Sequence, residues 1–365
     1  MSVPNERFVL LNPGPVTLTD TVRDSLTQRD MCHRESAFSD LMRDVRGQLC
    51  HIYDSEQAWT SVLLTGSGTA AVESMVSSLV SGERTALVAA NGVYGERIES
   101  MLKHAGKCPV MVRSEWADPI DFDAVEAKLQ QESSIKHVIA VHHETTTGRL
   151  NDLGRLAELC TRYGKRMLID GVSSFGGEKL DLDHWPIDGI AATANKCLHG
   201  IPGIAFVLVP RTVSEKMRPS ASSLYLDLAT NHSAQEKGYP AFTPAIQSLY
   251  ALKQALIELE AAGGWQQRHQ LYCQRSTKVA AALEEIEIQP LLVNATDRSS
   301  VLTAYRLPRD CDYDSLSQPL IENRIVIYAG QKELERIIFR VAVMGDLRED
   351  DFERFFQTIG EARRS

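Results

Sequence analysis

Two residues in this chain have types and settings suited to one piece of chemistry. Lys196 stands in Ala194-Asn195-Lys196-Cys197-Leu198-His199-Gly200, after the apolar run Ile190–Thr193 and before the rigid stretch Gly200-Ile201-Pro202-Gly203. A lone lysine is usually a solvated surface group. One held between a buried strand and a tight turn is partly desolvated, which lowers its pKa and makes the amine a nucleophile towards an aldehyde. Asp170 ends the apolar run Met167-Leu168-Ile169. A carboxylate there can be a helix cap or half of a structural ion pair. It can also pair with a protonated pyridine nitrogen and keep that ring cationic, so that the ring accepts the electron pair of a carbanion.

Two further segments offer partners. Thr65-Gly66-Ser67-Gly68-Thr69 runs from a strand into glycines and hydroxyl residues and straight on into a helix. Glycines admit close backbone approach, and the free N–H groups of a helix start favour an anion, with Ser67 and Thr69 as added donors. No Gly-Lys-[Ser/Thr] follows, so this is not a P-loop; a plain capped turn explains the segment almost as well. His142-His143-Glu144-Thr145-Thr146-Thr147-Gly148 also follows a strand, and a hydroxyl there could bond a phenolic oxygen. Neighbouring histidines on a strand face opposite ways and would not share one ion, so no metal is expected. Arg340 lies in an apolar β-like run and needs an anionic partner: a buried Asp or Glu, or a substrate oxyanion gripped by its planar fork.

The elements that must position these residues alternate. Strand candidates are Ser61–Leu64, Ala86–Ala90, Val138–His142, Arg166–Ile169, Gly189–Thr193 and Ala205–Val209, separated by helical stretches Thr69–Val80, Glu96–His104, Phe122–Gln131 and Leu153–Tyr163. The strands are rich in Val, Ile, Leu and Ala and read as buried on both faces, the mark of an α/β domain with a mostly parallel sheet. The candidate segments fall at strand carboxyl ends, where such sheets present ligands. After Val209 a long helix, Ile246–Ala262, is ended by Gly263-Gly264; helix Arg268–Glu285, the β-like runs Val301–Leu307, Arg324–Tyr328 and Ile337–Val343, and a final helix Glu349–Ala362 follow. The reading is a large domain over 1–250 and a small α+β domain over 251–365, with the first 15 or so residues assignable to either.

Bulk composition sets limits. The chain has 365 residues, 43% hydrophobic and 24% charged, with net charge −9, which argues against a nucleic-acid or membrane-surface binder. Seven widely spaced cysteines form no Cys-x-x-Cys pair and suggest reduced thiols in a cytoplasmic protein. The opening MSVPNERF is polar, and no apolar run approaches a membrane span.

In their order, these segments resemble the class V (fold type I) aminotransferases. Leu11-Asn12-Pro13-Gly14-Pro15, Asn91-Gly92-Val93-Tyr94-Gly95 and Phe339-Arg340-Val341-Ala342-Val343-Met344-Gly345 are similar to that family too. Within the class, three stretches look most like the branch that moves the amino group of 2-aminoethylphosphonate to pyruvate: Glu144–Gly148, Gly171–Gly177, and Ala194–Cys197 with Gly200–Gly203. The resemblance implies a fold type I transferase, with a seven-stranded, mostly parallel sheet in the large domain and a small C-terminal α+β domain. It implies pyridoxal 5'-phosphate on Lys196, Asp170 at the ring nitrogen, and Ser67, Gly68, Thr69 and Asn195 at the phosphate. Tyr94 (otherwise a core aromatic) would stack on the ring, Val172 would also contact it, and Thr145 would sit near its phenolic oxygen. Arg340, Gly14 and Arg34 would meet substrate, although Arg34 could equally belong to a surface ion-pair cluster. Thr243, in Phe242-Thr243-Pro244-Ala245, would reach the phosphate of a neighbouring subunit and so imply a homodimer with shared sites. The branch often reads Phe-Thr-Ser-Pro-Thr at that point, one residue longer.

The implied substrates are 2-aminoethylphosphonate and pyruvate, leaving phosphonoacetaldehyde and alanine. Alanine- or serine-type donors with glyoxylate or pyruvate are the first alternative. A lyase or desulfurase is the second; it needs an activated cysteine, for which Cys311 is the only loose candidate. A non-enzymatic scaffold is the third.

Overall fold

The computed structural model describes residues 7–364. The start of the polar MSVPNERF segment, residues 1–6, lies outside them. Seven strands form the main sheet: β1 (Trp59–Gly66), β2 (Ala86–Ala90), β3 (Val110–Arg113), β4 (His137–Val141), β5 (Arg166–Asp170), β6 (Ile187–Thr193) and β7 (Gly203–Pro210). They lie in the order β1-β7-β6-β5-β4-β2-β3. Every pairing is parallel except the two made by β7, which runs against both β6 and β1. The reason is connection length. Only the turn after Thr193 separates β6 from β7, and a short turn can join only antiparallel neighbours, whereas the parallel pairs need crossovers. With β7 reversed, β1 points the same way as β6, and the carboxyl ends of β1, β2, β4, β5 and β6 open on one edge.

Alternate strand residues fall on opposite faces, as the pleat requires. Leu63, Leu87, Val138 and Ile169 join one apolar cluster with Leu249, Leu252, Leu256 and Leu259 of a helix at Ile246–Ala261. Val62, Val88, Ile139 and Leu168 join another with Val72 and Met75. The covering helices include α1 (Ser36–His51), α2 (Gly68–Leu79), α3 (Val93–His104), α4 (Phe122–Gln131) and α5 (Leu153–Arg162). Asp121 and Asp152 begin α4 and α5 by accepting the backbone N–H groups of Ala124 and Arg155 at 2.9 Å each, the ordinary N-cap bond.

A second unit carries its own three-stranded antiparallel sheet: β8 (Leu302–Arg306), β9 (Tyr328–Ala329) and β10 (Ile338–Ala342), with β10 central. Its apolar cluster gathers Tyr272, Val279 and Leu283 from the helix Gly264–Glu284 with Phe339, Val341 and Phe355. Val9, Leu11 and Val16 pack in the same cluster, and Val9–Leu10 pairs in parallel with Ile325–Val326. The N-terminal segment therefore packs with the smaller unit.

Candidate active site

The turn after β6 carries Lys196, and four contacts from elsewhere hold that turn. Arg268 Nη1 donates to Cys197 O at 2.7 Å. His199, at φ +63°, accepts at Nε2 from Gly345 N–H at 2.8 Å and lies 2.6 Å from the Tyr272 hydroxyl. The Lys196 ammonium itself donates to Pro13 O. Gly14, at φ +114°, lies flat against the lysine chain: a Cβ there would stand 2.7 Å from Cδ and 3.0 Å from Nζ. Burial, helped by Arg340, lowers the amine to about 8 against the opposing pull of Cys197 and Asp170. A sizeable neutral fraction near physiological pH is what a nucleophilic amine needs.

Asp170 is the last residue of β5 and is 6% exposed. Burial pushes its carboxyl up to about 6 against the pull of Val172 N–H, Arg97 and Lys196. The Val172 N–H donates to Oδ1 at 3.0 Å and aims the group. The Val172 side chain also closes the space beside Gly68, where a Cβ would come within 2.7 Å of Cγ1. Gly68 opens α2, and its cap residue, Ser67, makes no side-chain cap bond, so the helix's leading N–H groups stay open beside exposed Ser67 and Thr69. Asn195, half-buried, accepts from the Thr193 hydroxyl at 2.8 Å. Tyr94 lies in the first turn of α3 with the Arg97 guanidinium over its ring at 4.7 Å.

Arg340, on β10, is 2% exposed. Its partners are carbonyls: Nε and Nη2 donate to Ala329 O at 3.1 and 2.8 Å, and Nη1 to Thr145 O at 3.1 Å. No carboxylate of the described residues pairs with it. A guanidinium has five N–H donors; with three engaged, one remains on each terminal nitrogen.

The structure thus brings Lys196, Asp170, Gly14, Val172, Gly68, Thr145 and Arg340 into one region; Thr243 lines a cavity with Thr65 of β1, and Arg34 shares a second cavity with Thr243. Both are exposed, and His33, Tyr239 and Phe242 line that second cavity with them. Cys311 sits outside the site, and burial raises its thiol. No group of His, Cys, Asp or Glu among the described residues could hold a metal. His142 and His143 are both buried and are pushed down to about 4 by burial.

The roles of two acidic residues escaped the sequence reading. Glu144 is fully buried and is pushed up to about 7, by burial first and by Asp170 second. Glu178 is 1% exposed and ties the units together. Its Oε1 accepts from Ser299 Oγ, Ser300 N and Ser300 Oγ at 2.7, 2.7 and 2.9 Å, and its Oε2 lies 3.2 Å from His269. Burial would raise its pKa, but His269, Ser299 and the nearby histidines hold it down at about 2. Gly92 was the available signal for the first, since a Cβ there would stand 2.4 Å from Glu144 Cδ.

These groups fit pyridoxal 5'-phosphate. The Thr145 hydroxyl is buried with no hydrogen-bond partner, a cost of about 1–3 kcal/mol unless a ligand oxygen meets it. The open helix start suits a phosphate.

Comparison with known proteins agrees. The family model for class V aminotransferases matches residues 21–349. The 2-aminoethylphosphonate–pyruvate transaminase of Bacillus cytotoxicus is 34% identical over 363 residues, 98% of each chain. That of Vibrio cholerae is 33% identical over 361 residues, 97% of each chain. The alanine–glyoxylate aminotransferase of Nostoc sp. superposes with a TM-score of 0.91 at 23% identity, over 99% of this chain and 97% of that one, and so shares the fold. The chain belongs to the class V aminotransferases, enzymes that use pyridoxal 5'-phosphate.

Proposed function

We propose that the enzyme moves the amino group of 2-aminoethylphosphonate to pyruvate, giving phosphonoacetaldehyde and L-alanine. The observation that carries this reading is the Arg340 fork: a buried guanidinium with two N–H groups unspent, close enough to Lys196 to depress its amine. Such a fork accepts a phosphonate or a carboxylate bidentately, so one arginine serves donor and acceptor in turn. The two transaminase relatives support the same substrate pair.

When bound, the cofactor supplies an aldehyde that captures amines and a ring that takes up the electron pair released when a Cα proton leaves. Lys196 Nζ would hold the cofactor and, as the buried amine beside it, would take the proton from the substrate Cα. Asp170 holds the proton on the ring nitrogen. Thr145 Oγ donates to the phenolic oxygen. Ser67, Gly68, Thr69 and Asn195 hold the phosphate at the start of α2, with Tyr94 and Val172 at the ring. Gly14 keeps the lysine chain in place and lies against substrate.

Thr243 and Arg34 reach the site from a second copy of the chain, the first to the phosphate and the second to the phosphonate. Their exposure, together with exposed Leu224 and Tyr239, supports a homodimer with shared sites. No described helix is long and apolar enough to cross a membrane.

The test is pyruvate-dependent consumption of 2-aminoethylphosphonate, measured beside alanine, serine and aspartate. Turnover of the phosphonate at least ~100-fold above the others, about 2.7 kcal/mol of discrimination, is expected. No turnover of it would shift the assignment to an alanine- or serine-type donor.

A further inference from the structure

We propose that Glu144 is a positioning residue: its carboxylate fixes at one point the backbone that carries Tyr94, the backbone that carries Thr145 and, through Thr145, the guanidinium of Arg340. The inference rests on the cofactor reading above and adds a residue that reading does not use.

Glu144 has no exposed surface. Its Oε2 accepts from Tyr94 N–H at 3.2 Å. Its Oε1 accepts from Thr146 N–H at 3.2 Å and from the Thr146 hydroxyl at 2.5 Å. That hydroxyl oxygen in turn accepts from Val93 N–H at 3.2 Å. The first turn of α3 needs acceptors for its leading N–H groups, and here they come from a loop about 50 residues away instead of from the residue before the helix. That residue is Gly92, and a Cβ on it would stand 2.4 Å from Glu144 Cδ. A serine or aspartate at position 92 would cap the helix locally. The glycine gives that up and lets a second element do it.

The consequence lies at the site. Tyr94 N–H is bonded to Glu144 directly. Thr145, the next residue, presents an unpartnered hydroxyl and gives its carbonyl to Arg340 Nη1 at 3.1 Å. One buried group therefore sets the spacing between the ring-stacking tyrosine, the phenol-facing threonine and the oxyanion-binding arginine. The donors around Glu144 favour the ionised carboxyl, against the burial that pushes it up to about 7. Donors face both oxygens, and a glutamine would aim its NH2 at one of them, donor against donor.

The test uses the full-length enzyme loaded with pyridoxal 5'-phosphate, as wild type, Glu144→Gln, Thr146→Val and Thr146→Ser. The readouts are visible circular dichroism of the bound cofactor, its dissociation constant, and KM for pyruvate apart from kcat. Glu144→Gln is expected to weaken cofactor binding and raise KM about 10-fold each, with the visible dichroism reduced and the far-ultraviolet spectrum unchanged. Thr146→Val should move the same way by a smaller factor, and Thr146→Ser, which keeps the hydroxyl, should restore wild-type values. A folded Glu144→Gln enzyme with wild-type dichroism, affinity and KM overturns the proposal. If that variant does not fold, identical behaviour of Thr146→Val and Thr146→Ser overturns it instead. A wild type that takes up no cofactor overturns the cofactor reading and this inference with it, whereas a loaded wild type beside an unaffected Glu144→Gln overturns this inference alone.

Discussion

Replacing Arg340 by alanine tests the substrate reading most directly, and the structure sets the size of the effect. Three of the guanidinium's N–H groups are engaged by Ala329 O and Thr145 O, which leaves two for a substrate oxyanion. A hydrogen bond to a charged group contributes about 1.5–3 kcal/mol, so the pair contributes about 3–6 kcal/mol. At about 1.4 kcal/mol per factor of ten, the KM for pyruvate should rise roughly 100-fold to 10,000-fold, with kcat changing far less. The arginine's loss also strands two carbonyls, so stability must be followed separately. Comparing pyruvate with its neutral methyl ester cancels that disturbance, because both acceptors meet the same damaged site. Wild type should favour pyruvate by kcat/KM, and Arg340→Ala should lose most of the preference. Arg340→Lys should fall between them, since it keeps the charge without the fork. An alanine variant that still prefers the charged acceptor as strongly as wild type refutes the assignment.

Lys196→Ala should abolish the visible absorbance of the lysine-bound cofactor and lower kcat by at least ~1,000-fold, read by spectrum and by single-turnover kinetics. Gly14→Ala places a methyl 2.7 Å from Lys196 Cδ at φ +114°, so kcat should fall at least ~10-fold in a folded enzyme that still binds cofactor; unchanged kcat would show that the lysine chain has room to move. Glu178→Gln should cost about 3 kcal/mol of stability at neutral pH. The carboxyl's folded pKa, about 2, lies below its ordinary 4.5, so its contribution is present above pH 4.5 and is lost as pH falls towards 2. Wild-type and variant melting temperatures should accordingly converge over that acid range, and a constant gap would rule out the carboxylate as the source.

Much of the site was legible because its residues stand at strand ends. Asp170 follows three apolar residues and Lys196 follows β6, so their placement needed only local pattern. The strand β3 and the helix α1 were missed, the first for being four residues long; the second carries Phe38, Leu41, Met42, Val45 and Leu49 at helical spacing, a period that was there to be read. The Arg324–Tyr328 run proved to be two short strands in different sheets, Ile325–Val326 beside the N-terminal segment and Tyr328–Ala329 beside Arg340. Arg340 was expected to meet an acid or a substrate; two backbone carbonyls hold it, and no side-chain pattern encodes a carbonyl. Glu144 was read only as part of a stretch, and the roles of Glu144 and Glu178 were hidden for a related reason. Their partners lie about 50 and 120 residues away, at Tyr94 and Ser299, and only folding brings them together.

The fastening of the Lys196 turn has a consequence for motion. Cys197 and His199 are gripped by Arg268, Tyr272 and Gly345, and the amine rests on Pro13, all packed with the smaller unit. Lys196 thus lies where the main sheet meets the smaller unit. A displacement of the smaller unit would therefore pull directly on the Lys196 turn and on its amine.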